Sequence, residues 1–115
     1  MKRLIFLFLC LFCLTACGSN DPKENIVDIN YIMENNEYVI IDVRTPEEYN
    51  EGHIKDSINI EYDKIDENID IDKNTVIFVY CKSGGRSSVA YDTLTSLGYI
   101  VYDLGAFEGI DLPKE

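Results

Sequence analysis

One continuous segment carries most of the structural information: Val76-Ile77-Phe78-Val79-Tyr80-Cys81-Lys82-Ser83-Gly84-Gly85-Arg86-Ser87-Ser88. It begins with five consecutive apolar residues, a pattern typical of a strand covered on both faces in a parallel sheet. The following residues, Ser87 to Leu97, carry apolar side chains at helical spacing, namely Val89, Ala90, Leu94 and Leu97. The sequence therefore predicts a strand, a glycine-bent loop and a helix, with Cys81 at the carboxyl end of the strand.

The loop that begins at Cys81 favours a negative charge. Ligands of open α/β sheets bind at the carboxyl ends of the strands, which is where this cysteine lies. Gly84 and Gly85 allow the backbone to turn its N–H groups inward, and the helix dipole, Lys82 and Arg86 add further attraction for an anion. Because an ordinary thiol has a pKa of about 8.5, these surroundings favour the reactive thiolate. We predict a catalytic thiolate here, since the alternative, a buried structural cysteine, does not explain the two cations and two glycines.

The amino terminus has the pattern of a signal peptide covering residues 1–16. Lys2 and Arg3 precede an unbroken apolar run from Leu4 to Cys13, which is too short for a membrane-spanning helix. The next residues, Leu14-Thr15-Ala16-Cys17, resemble the lipobox of bacterial lipoproteins, and this resemblance implies that Cys17 is lipidated and becomes the first residue. We therefore expect a membrane-anchored protein on the extracytoplasmic face, at the cell surface or in the periplasm. An ordinary secretory signal or an uncleaved anchor is the alternative.

The remaining chain predicts one small domain on a tether. Residues 17–25 are polar and rich in turn-forming residues, and residues 26–115 form the expected domain. Cleavage would remove Lys2 and Arg3 and change the formal net charge from −11 to −13, which argues against a nucleic-acid partner. We expect a monomer.

The cysteines and the histidine limit the possible chemistry. Cys10 and Cys13 would leave with the signal peptide and Cys17 would be lipidated, so Cys81 would be the sole free thiol of the mature chain. An unpaired cysteine in an exported protein indicates a chemical role. His53 is the only histidine and no cysteine pair has metal-ligand spacing, so we expect no metal site.

Strand patterns alternate with helix patterns along the domain. Strands are predicted at Tyr38 to Ile41, Ser57 to Ile60, Val76 to Tyr80 and Tyr99 to Tyr102. The first predicted helix begins at an Asp28 cap and ends at the turn Asn35-Asn36, and the second begins at a Thr45 cap with Pro46 and ends at Gly52. Two more helices are predicted, one over Tyr62 to Asn68 and one after the cysteine loop. This alternation is typical of a mainly parallel sheet with helices on both faces.

Three motifs, in order, resemble those of a single-domain rhodanese. They are Ile41-Asp42-Val43-Arg44-Thr45-Pro46-Glu47-Glu48-Tyr49, then Glu51-Gly52-His53-Ile54 with Ser57-Ile58-Asn59-Ile60, then Tyr80 to Ser87. The resemblance covers roughly residues 25 to 107. It implies a five-stranded, mainly parallel sheet and a sulfurtransferase without a cofactor. Its cysteine would take sulfane sulfur from thiosulfate or a persulfide and pass it to a thiol, cyanide or a protein acceptor.

The resemblance also implies the roles of individual residues. Cys81 would carry the sulfur, and the substrate would be bound by Lys82, Ser83, Gly84, Gly85, Arg86 and Ser87. Structural support is expected from Asp42, Arg44 and His53, although a general-base role for the histidine is an alternative. Tyr80, Tyr91 and Phe107 are expected in the core or the pocket wall.

Three other functions stay open beside the sulfurtransferase. Phosphatases and arsenate reductases with this fold have five residues between cysteine and arginine, whereas four separate Cys81 from Arg86. A non-catalytic binding module of the same family commonly lacks the cysteine. An envelope thiol-redox protein would be expected to have a Cys-x-x-Cys pair. The chain also departs from many rhodaneses, because it has Gly105-Ala106-Phe107 where they have two glycines and a tryptophan.

Overall fold

The computed structural model describes residues 28–115. The predicted signal peptide (residues 1–16), the predicted lipidation site Cys17 with its tether, and residues 26–27 of the predicted domain lie outside the described residues. The compact unit that carries the sheet extends from Met33 to Glu115. Within residues 28–115, no helix is long and apolar enough to cross a membrane.

Four strands and three α-helices follow one another along this range. The strands are β1 (Tyr38–Asp42), β2 (Ile58–Asn59), β3 (Val76–Cys81) and β4 (Val101–Ala106). The helices are α1 (Ile29–Asn35), α2 (Pro46–Glu51) and α3 (Gly85–Ser96), with 3₁₀ turns at Tyr62–Lys64 and Phe107–Gly109. The helix predicted to reach Asn68 is thus limited to one turn, because the Asp66 carboxylate accepts the Asn68 N–H at 2.9 Å and forms a separate turn.

The sheet is parallel throughout, with the order β2-β1-β3-β4. Ile40 of β1 lies opposite Phe78 of β3, which in turn lies opposite Tyr102 of β4. The α/β class and the parallel sheet are confirmed. The fifth strand is not found within residues 28–115, where the segments between the four strands form helices or polar turns, so the strand number differs from our expectation.

Helix α3 covers one face of the sheet. Ile77, Val79 and Cys81 of β3 belong to the same buried cluster as Ala90 and Leu94 of α3. All six residues of β3 are buried, as the apolar run in the sequence predicts. The cysteine therefore emerges from the best-buried strand, and its position is fixed by packing on the α3 side.

The opposite face is rich in aromatic residues. Phe78 is fully buried and its ring contacts the rings of Tyr38 and Tyr102, at centroid distances of 5.9 and 5.6 Å. Met33 of α1 lines a small cavity together with Tyr38 and Ile40 on this face. The sheet thus has apolar cover on both sides, which holds the carboxyl ends of β1 and β3 in a fixed relation.

Helix α2 begins with a capping box. The Thr45 hydroxyl accepts the Glu48 N–H at 3.2 Å, and the Glu48 carboxylate accepts the Thr45 N–H at 3.0 Å. Pro46 occupies the first turn, and Gly52 ends the helix with an N–H bond to the Tyr49 carbonyl. The helix limits predicted from Thr45, Pro46 and Gly52 are confirmed, and the capping box fixes where Glu48 lies.

Candidate active site

The backbone of the loop after β3 surrounds the sulfur of Cys81. The Gly84 N–H donates to Sγ at 2.9 Å and the Ser87 N–H donates at 3.3 Å. Gly84 has φ of 105°, a left-handed conformation that a side chain would strain. Gly85, by contrast, is the first residue of α3 and has no such requirement. The loop therefore forms an N–H cradle, made of the Gly84 and Ser87 amides, directed at Sγ.

This cradle lowers the pKa of the Cys81 thiol. Burial is the largest influence and raises the pKa, but it is outweighed by hydrogen bonds from the Ser87 side chain and from the N–H groups of Ser87, Gly84 and Ser83. In the structure the Ser87 hydroxyl donates to the Gly84 carbonyl at 3.2 Å, and because it has a single proton it can donate to the sulfur only when the O–H turns away from that carbonyl. Cys81 is fully buried, so a substrate molecule must displace neighbouring atoms to reach the thiolate.

Arg86 does not stand alone at the loop. Its guanidinium forms a two-pronged ion pair with Glu48, with N–O distances of 2.8 and 3.1 Å. The Arg86 hydrogen bonds hold the pKa of the Glu48 carboxyl at about 2, and the pKa of Arg86 is raised in return. We predicted that Arg86 binds the substrate, and Glu48 competes with a substrate for its guanidinium.

Asp42 and Arg44 form a second ion pair, which is buried. The Arg44 side chain donates to both Asp42 oxygens, with a shortest distance of 2.6 Å, and also to the Gly52 carbonyl at 2.6 Å. Its guanidinium carbon lies 4.5 Å from the centre of the Phe107 ring. Burial lowers the pKa of Arg44, but the hydrogen bond and charge of Asp42 outweigh it and raise the pKa overall. This pair joins the end of β1 to the segment after α2.

A cavity of about 210 Å³ lies beside the cysteine loop. Its lining is mostly charged and consists of Arg44, Glu48, Glu51, Lys82 and Glu108, together with Gly52 and Phe107. Lys82 directly follows Cys81, so the cavity adjoins the thiol-bearing loop. Within residues 28–115 no cluster of His, Cys, Asp and Glu is arranged to hold a metal ion. A small molecule held in this cavity would therefore lie next to the loop that carries the thiolate.

Comparison with known families agrees with this geometry. The model of the rhodanese-like domain matches residues 25–110, about three quarters of the chain. This chain belongs to the rhodanese-like domain family. The match contains both the Cys81 loop and the Asp42 and Arg44 segment, so it spans every part of the site described above.

Relatives of this rhodanese-like chain include enzymes and a solved structure. Thiosulfate sulfurtransferase PspE of Escherichia coli is 38% identical over 78 residues, which are 64% of this chain and 75% of the relative. The adenylyltransferase and sulfurtransferase uba4 of Ogataea parapolymorpha is 32% identical over 89 residues, which are 72% of this chain but 23% of that longer protein. A solved structure of an E. coli rhodanese with anions has a TM-score of 0.64 and 36% identity, and covers 68% of this chain and 96% of that one. The expected family and the expected enzyme class, a sulfurtransferase, are confirmed.

His53 of this rhodanese-like domain lies outside the cavity lining. Its ring stacks on Tyr49 at 3.8 Å, and its Nδ1 lies 2.9 Å from the Tyr49 carbonyl. Its backbone exchanges two hydrogen bonds with Glu115, at 2.9 and 2.8 Å, and its Nε2 lies 3.3 Å from that side chain. These contacts favour structural support over a general-base role.

The three aromatic residues assigned to core or pocket wall have different positions. Tyr80 is fully buried and Phe107 lines the cavity, with their rings stacked at 5.7 Å. Tyr91 is 37% exposed on α3, so it lies neither in the core nor in the cavity wall. Helical spacing alone did not distinguish it from the buried positions Ala90 and Leu94.

Three acidic residues of the site were not anticipated. Glu48 and Glu51 stand in the sequence motifs without an indicated role, and no sequence pattern points to Glu108. The capping pattern was the one available signal, and it locates Glu48 on the helix without indicating Arg86 as its partner. Their importance comes from the cavity they share, which no sequence pattern describes.

Proposed function

We propose that this chain is a membrane-tethered sulfurtransferase that carries sulfane sulfur as a persulfide on Cys81. The observation that carries the proposal is the N–H cradle around Sγ, at 2.9 Å from Gly84 and 3.3 Å from Ser87, in a rhodanese-like domain. The name of the E. coli relative, a thiosulfate sulfurtransferase, supports thiosulfate as one donor, with persulfides as the other class.

In the first half-reaction the Cys81 thiolate attacks the outer sulfur of thiosulfate. A new bond forms between Sγ and that sulfur, the sulfur–sulfur bond of thiosulfate breaks, and sulfite leaves with the electron pair. The persulfide that remains carries one negative charge. The N–H groups of the cradle stabilise that charge as they stabilise the thiolate, because backbone donors at a helix start favour an anion.

In the second half-reaction an acceptor nucleophile, a thiol or cyanide, attacks the terminal sulfur. The bond to Sγ breaks and the electron pair returns to Cys81, which regenerates the thiolate for the next cycle. Because sulfite leaves before the acceptor reacts, ping-pong kinetics follow. Ser83 and Lys82 lie on the exposed side of the loop, where they meet the incoming molecules.

Intact-mass measurement of the full chain tests this mechanism. Incubation with thiosulfate, without reducing agent, should add the mass of one sulfur atom, and cyanide should remove it as thiocyanate. The Cys81→Ser variant is the control, since it retains the other three cysteines and should gain nothing.

Absence of an adduct with thiosulfate and with a small-molecule persulfide would falsify the enzymatic mechanism. An equal adduct in the Cys81→Ser variant would assign the sulfur to another cysteine and would also contradict it.

The membrane tether rests on the sequence motif that ends in Cys17. Two or three acyl chains, at about 0.8 kcal/mol per buried CH₂, hold a small domain on a membrane surface. Cells that express the chain and take up radioactive palmitate should label it, and the label should disappear in a Cys17→Ser variant. Recovery of an unlabelled wild-type chain in the soluble fraction would contradict the tether without affecting the persulfide mechanism.

A further inference from the structure

The cavity beside the cysteine loop has an unusual charge balance for a site that takes up an anion. Thiosulfate carries two negative charges, and the thiolate that attacks it carries a third. A site adapted to a dianion is expected to supply unpaired cations near the reacting sulfur. Two arginines lie at this site, but the structure engages both in ion pairs.

Each arginine is neutralised by a carboxylate of the protein. Arg44 donates to both oxygens of Asp42 and is buried with it. Arg86 uses two nitrogens to bind both oxygens of Glu48, at 2.8 and 3.1 Å. This bond uses two of the five N–H donors of the Arg86 guanidinium, and the carboxylate offsets its positive charge. The two arginines together with their partners contribute no net charge.

Three charged residues of the cavity form no ion pair within residues 28–115: Lys82, Glu51 and Glu108. All three are exposed. The unpaired charge on the cavity lining is therefore one positive and two negative, on a chain whose formal net charge is −11. Such a field repels a dianion more strongly than a monoanion, since the energy scales with the charge of the ligand.

We propose that this site selects a sulfane-sulfur donor with one negative charge or none, such as a small-molecule persulfide, over the dianion thiosulfate. Glu51 and Glu108 are the specificity-determining residues, and Lys82 is the counter-charge for a single anionic group. The inference rests on the sulfurtransferase function proposed above and specifies the substrate class of the same site.

The reaction of such a donor requires no additional reagent. The Cys81 thiolate attacks the outer sulfur of a protonated persulfide RSSH, forming Cys81–S–SH. The donor's sulfur–sulfur bond breaks, and its electron pair leaves on the thiolate RS⁻. One negative charge is present before and after the step, whereas the thiosulfate reaction brings three negative charges together. The negative charges of Glu51 and Glu108 therefore strongly oppose the thiosulfate reaction alone.

Two donors of similar shape separate charge from size. Methanethiosulfonate has a methyl group where thiosulfate has a charged oxygen, so it transfers the same kind of sulfur with one negative charge. Its leaving group is methanesulfinate, which takes the electron pair as sulfite does. The ratio of kcat/KM for the two donors, with cyanide as acceptor, reports the charge selectivity of the full chain.

The variants are Glu51→Gln, Glu108→Gln and the double substitution, which keep side-chain size and remove charge. At low ionic strength the double variant should raise kcat/KM for thiosulfate about three- to tenfold, and that for methanethiosulfonate by a smaller factor of about two to three. Added salt should reduce both gains. Glu67→Gln is the matched control, because Glu67 is exposed but lies outside the cavity lining, and it should leave the ratio unchanged.

An unchanged donor ratio in the double variant, or an equal gain for both donors, overturns the charge selection while leaving the sulfurtransferase intact. A ratio that shifts equally in Glu67→Gln assigns the effect to overall charge and also overturns it. A chain that takes up sulfur from neither donor, nor from a small-molecule persulfide, overturns the proposed function and this inference together.

Discussion

Arg86 binds both carboxylate oxygens of Glu48 across 38 residues of sequence, with N–O distances of 2.8 and 3.1 Å. The ion pair joins the first turn of α3, which follows the cysteine loop, to the first turn of α2. Glu48 also completes the capping box with Thr45. One carboxylate thus fixes a helix start and positions the loop that holds Cys81.

Glu48→Gln should destabilise the domain at neutral pH by about 1 kcal/mol, because glutamine keeps the capping box but loses the ion pair. Urea unfolding of the two proteins measures this difference. Glu47→Gln is the control, since Glu47 lies in the same turn but forms no ion pair within residues 28–115, and its effect should be a few tenths of a kcal/mol. Equal effects of the two substitutions would contradict the role of the Arg86 pair.

The same comparison has a defined pH dependence. The pKa of Glu48 is about 2 in the folded domain, against an ordinary value of 4.5, and the hydrogen bond from Arg86 is the main cause. Because the folded pKa is lowered, the stabilisation is fully present above pH 4.5 and is lost as the pH falls toward 2. The stability difference between wild type and Glu48→Gln should therefore shrink over this interval. A difference that stays constant from neutral pH to pH 2 would show that the ion pair is not its source.

Gly84→Ala should destabilise the domain and Gly85→Ala should not, although the residues are neighbours. Gly84 has φ of 105°, so alanine there should cost about 1–2 kcal/mol and displace the N–H that donates to the Cys81 sulfur. Gly85 has an ordinary helical conformation, and an added Cβ would meet no atom within 4 Å. Alanine at 85 should be neutral or stabilising by up to about 1 kcal/mol. Thermal unfolding and persulfide formation are measured for both variants. Similar losses of stability and of persulfide in the two would contradict the special role of the Gly84 conformation.

Ser87→Ala should raise the pKa of the Cys81 thiol. The Ser87 hydroxyl is one of the hydrogen-bond donors that outweigh burial and lower this pKa, while the Ser87 N–H is retained in the variant. The ultraviolet absorbance of the thiolate, followed against pH and corrected with Cys81→Ser, gives the midpoint. It should move to higher pH in Ser87→Ala and stay in place in Ser88→Ala, whose side chain is exposed on the next helix position. A midpoint that does not respond to Ser87→Ala would exclude the hydroxyl as a donor.

Tyr80→Phe should destabilise the domain by about 1–3 kcal/mol, because it leaves a buried donor without a partner. The Tyr80 hydroxyl accepts the Ile54 N–H at 3.0 Å and lies 3.3 Å from the Ser57 hydroxyl. Burial raises the pKa of Tyr80 to about 12, so its hydroxyl stays protonated and these hydrogen bonds do not change near neutral pH. Tyr91→Phe, with a more exposed ring, should change the free energy of unfolding by less than about 0.5 kcal/mol. Denaturant unfolding of the pair tests this, and a neutral Tyr80→Phe would contradict it.

Local patterns in the sequence predicted much of this molecule. Thr45, Pro46 and Gly52 marked the limits of α2, and the apolar run before Cys81 marked β3, because caps and burial patterns depend on residues close in the chain. The number of strands did not follow from such patterns. The fifth strand was expected from the resemblance alone, and residues 28–115 contain four.

The charge of the site could not be read in the same way. Lys82 and Arg86 stand beside Cys81 in the sequence and predict an anion site with two available cations. In the structure Lys82 forms no ion pair within residues 28–115, whereas Arg86 forms one with Glu48. With 21 acidic residues in the chain, no sequence rule identifies which carboxylate reaches which arginine.

The sequence by itself determined the reactive group and its immediate surroundings: a cysteine at the end of a buried strand, a glycine able to adopt a left-handed turn, and a helix start beyond it. These depend on backbone geometry within a few residues. Only the tertiary structure decided the charge that a substrate meets, because the parallel order β2-β1-β3-β4 brings the ends of β1 and β3 together. That arrangement places Glu48, Glu51 and Glu108 around one cavity, and electrostatic energy depends on distance in space, not on separation along the chain.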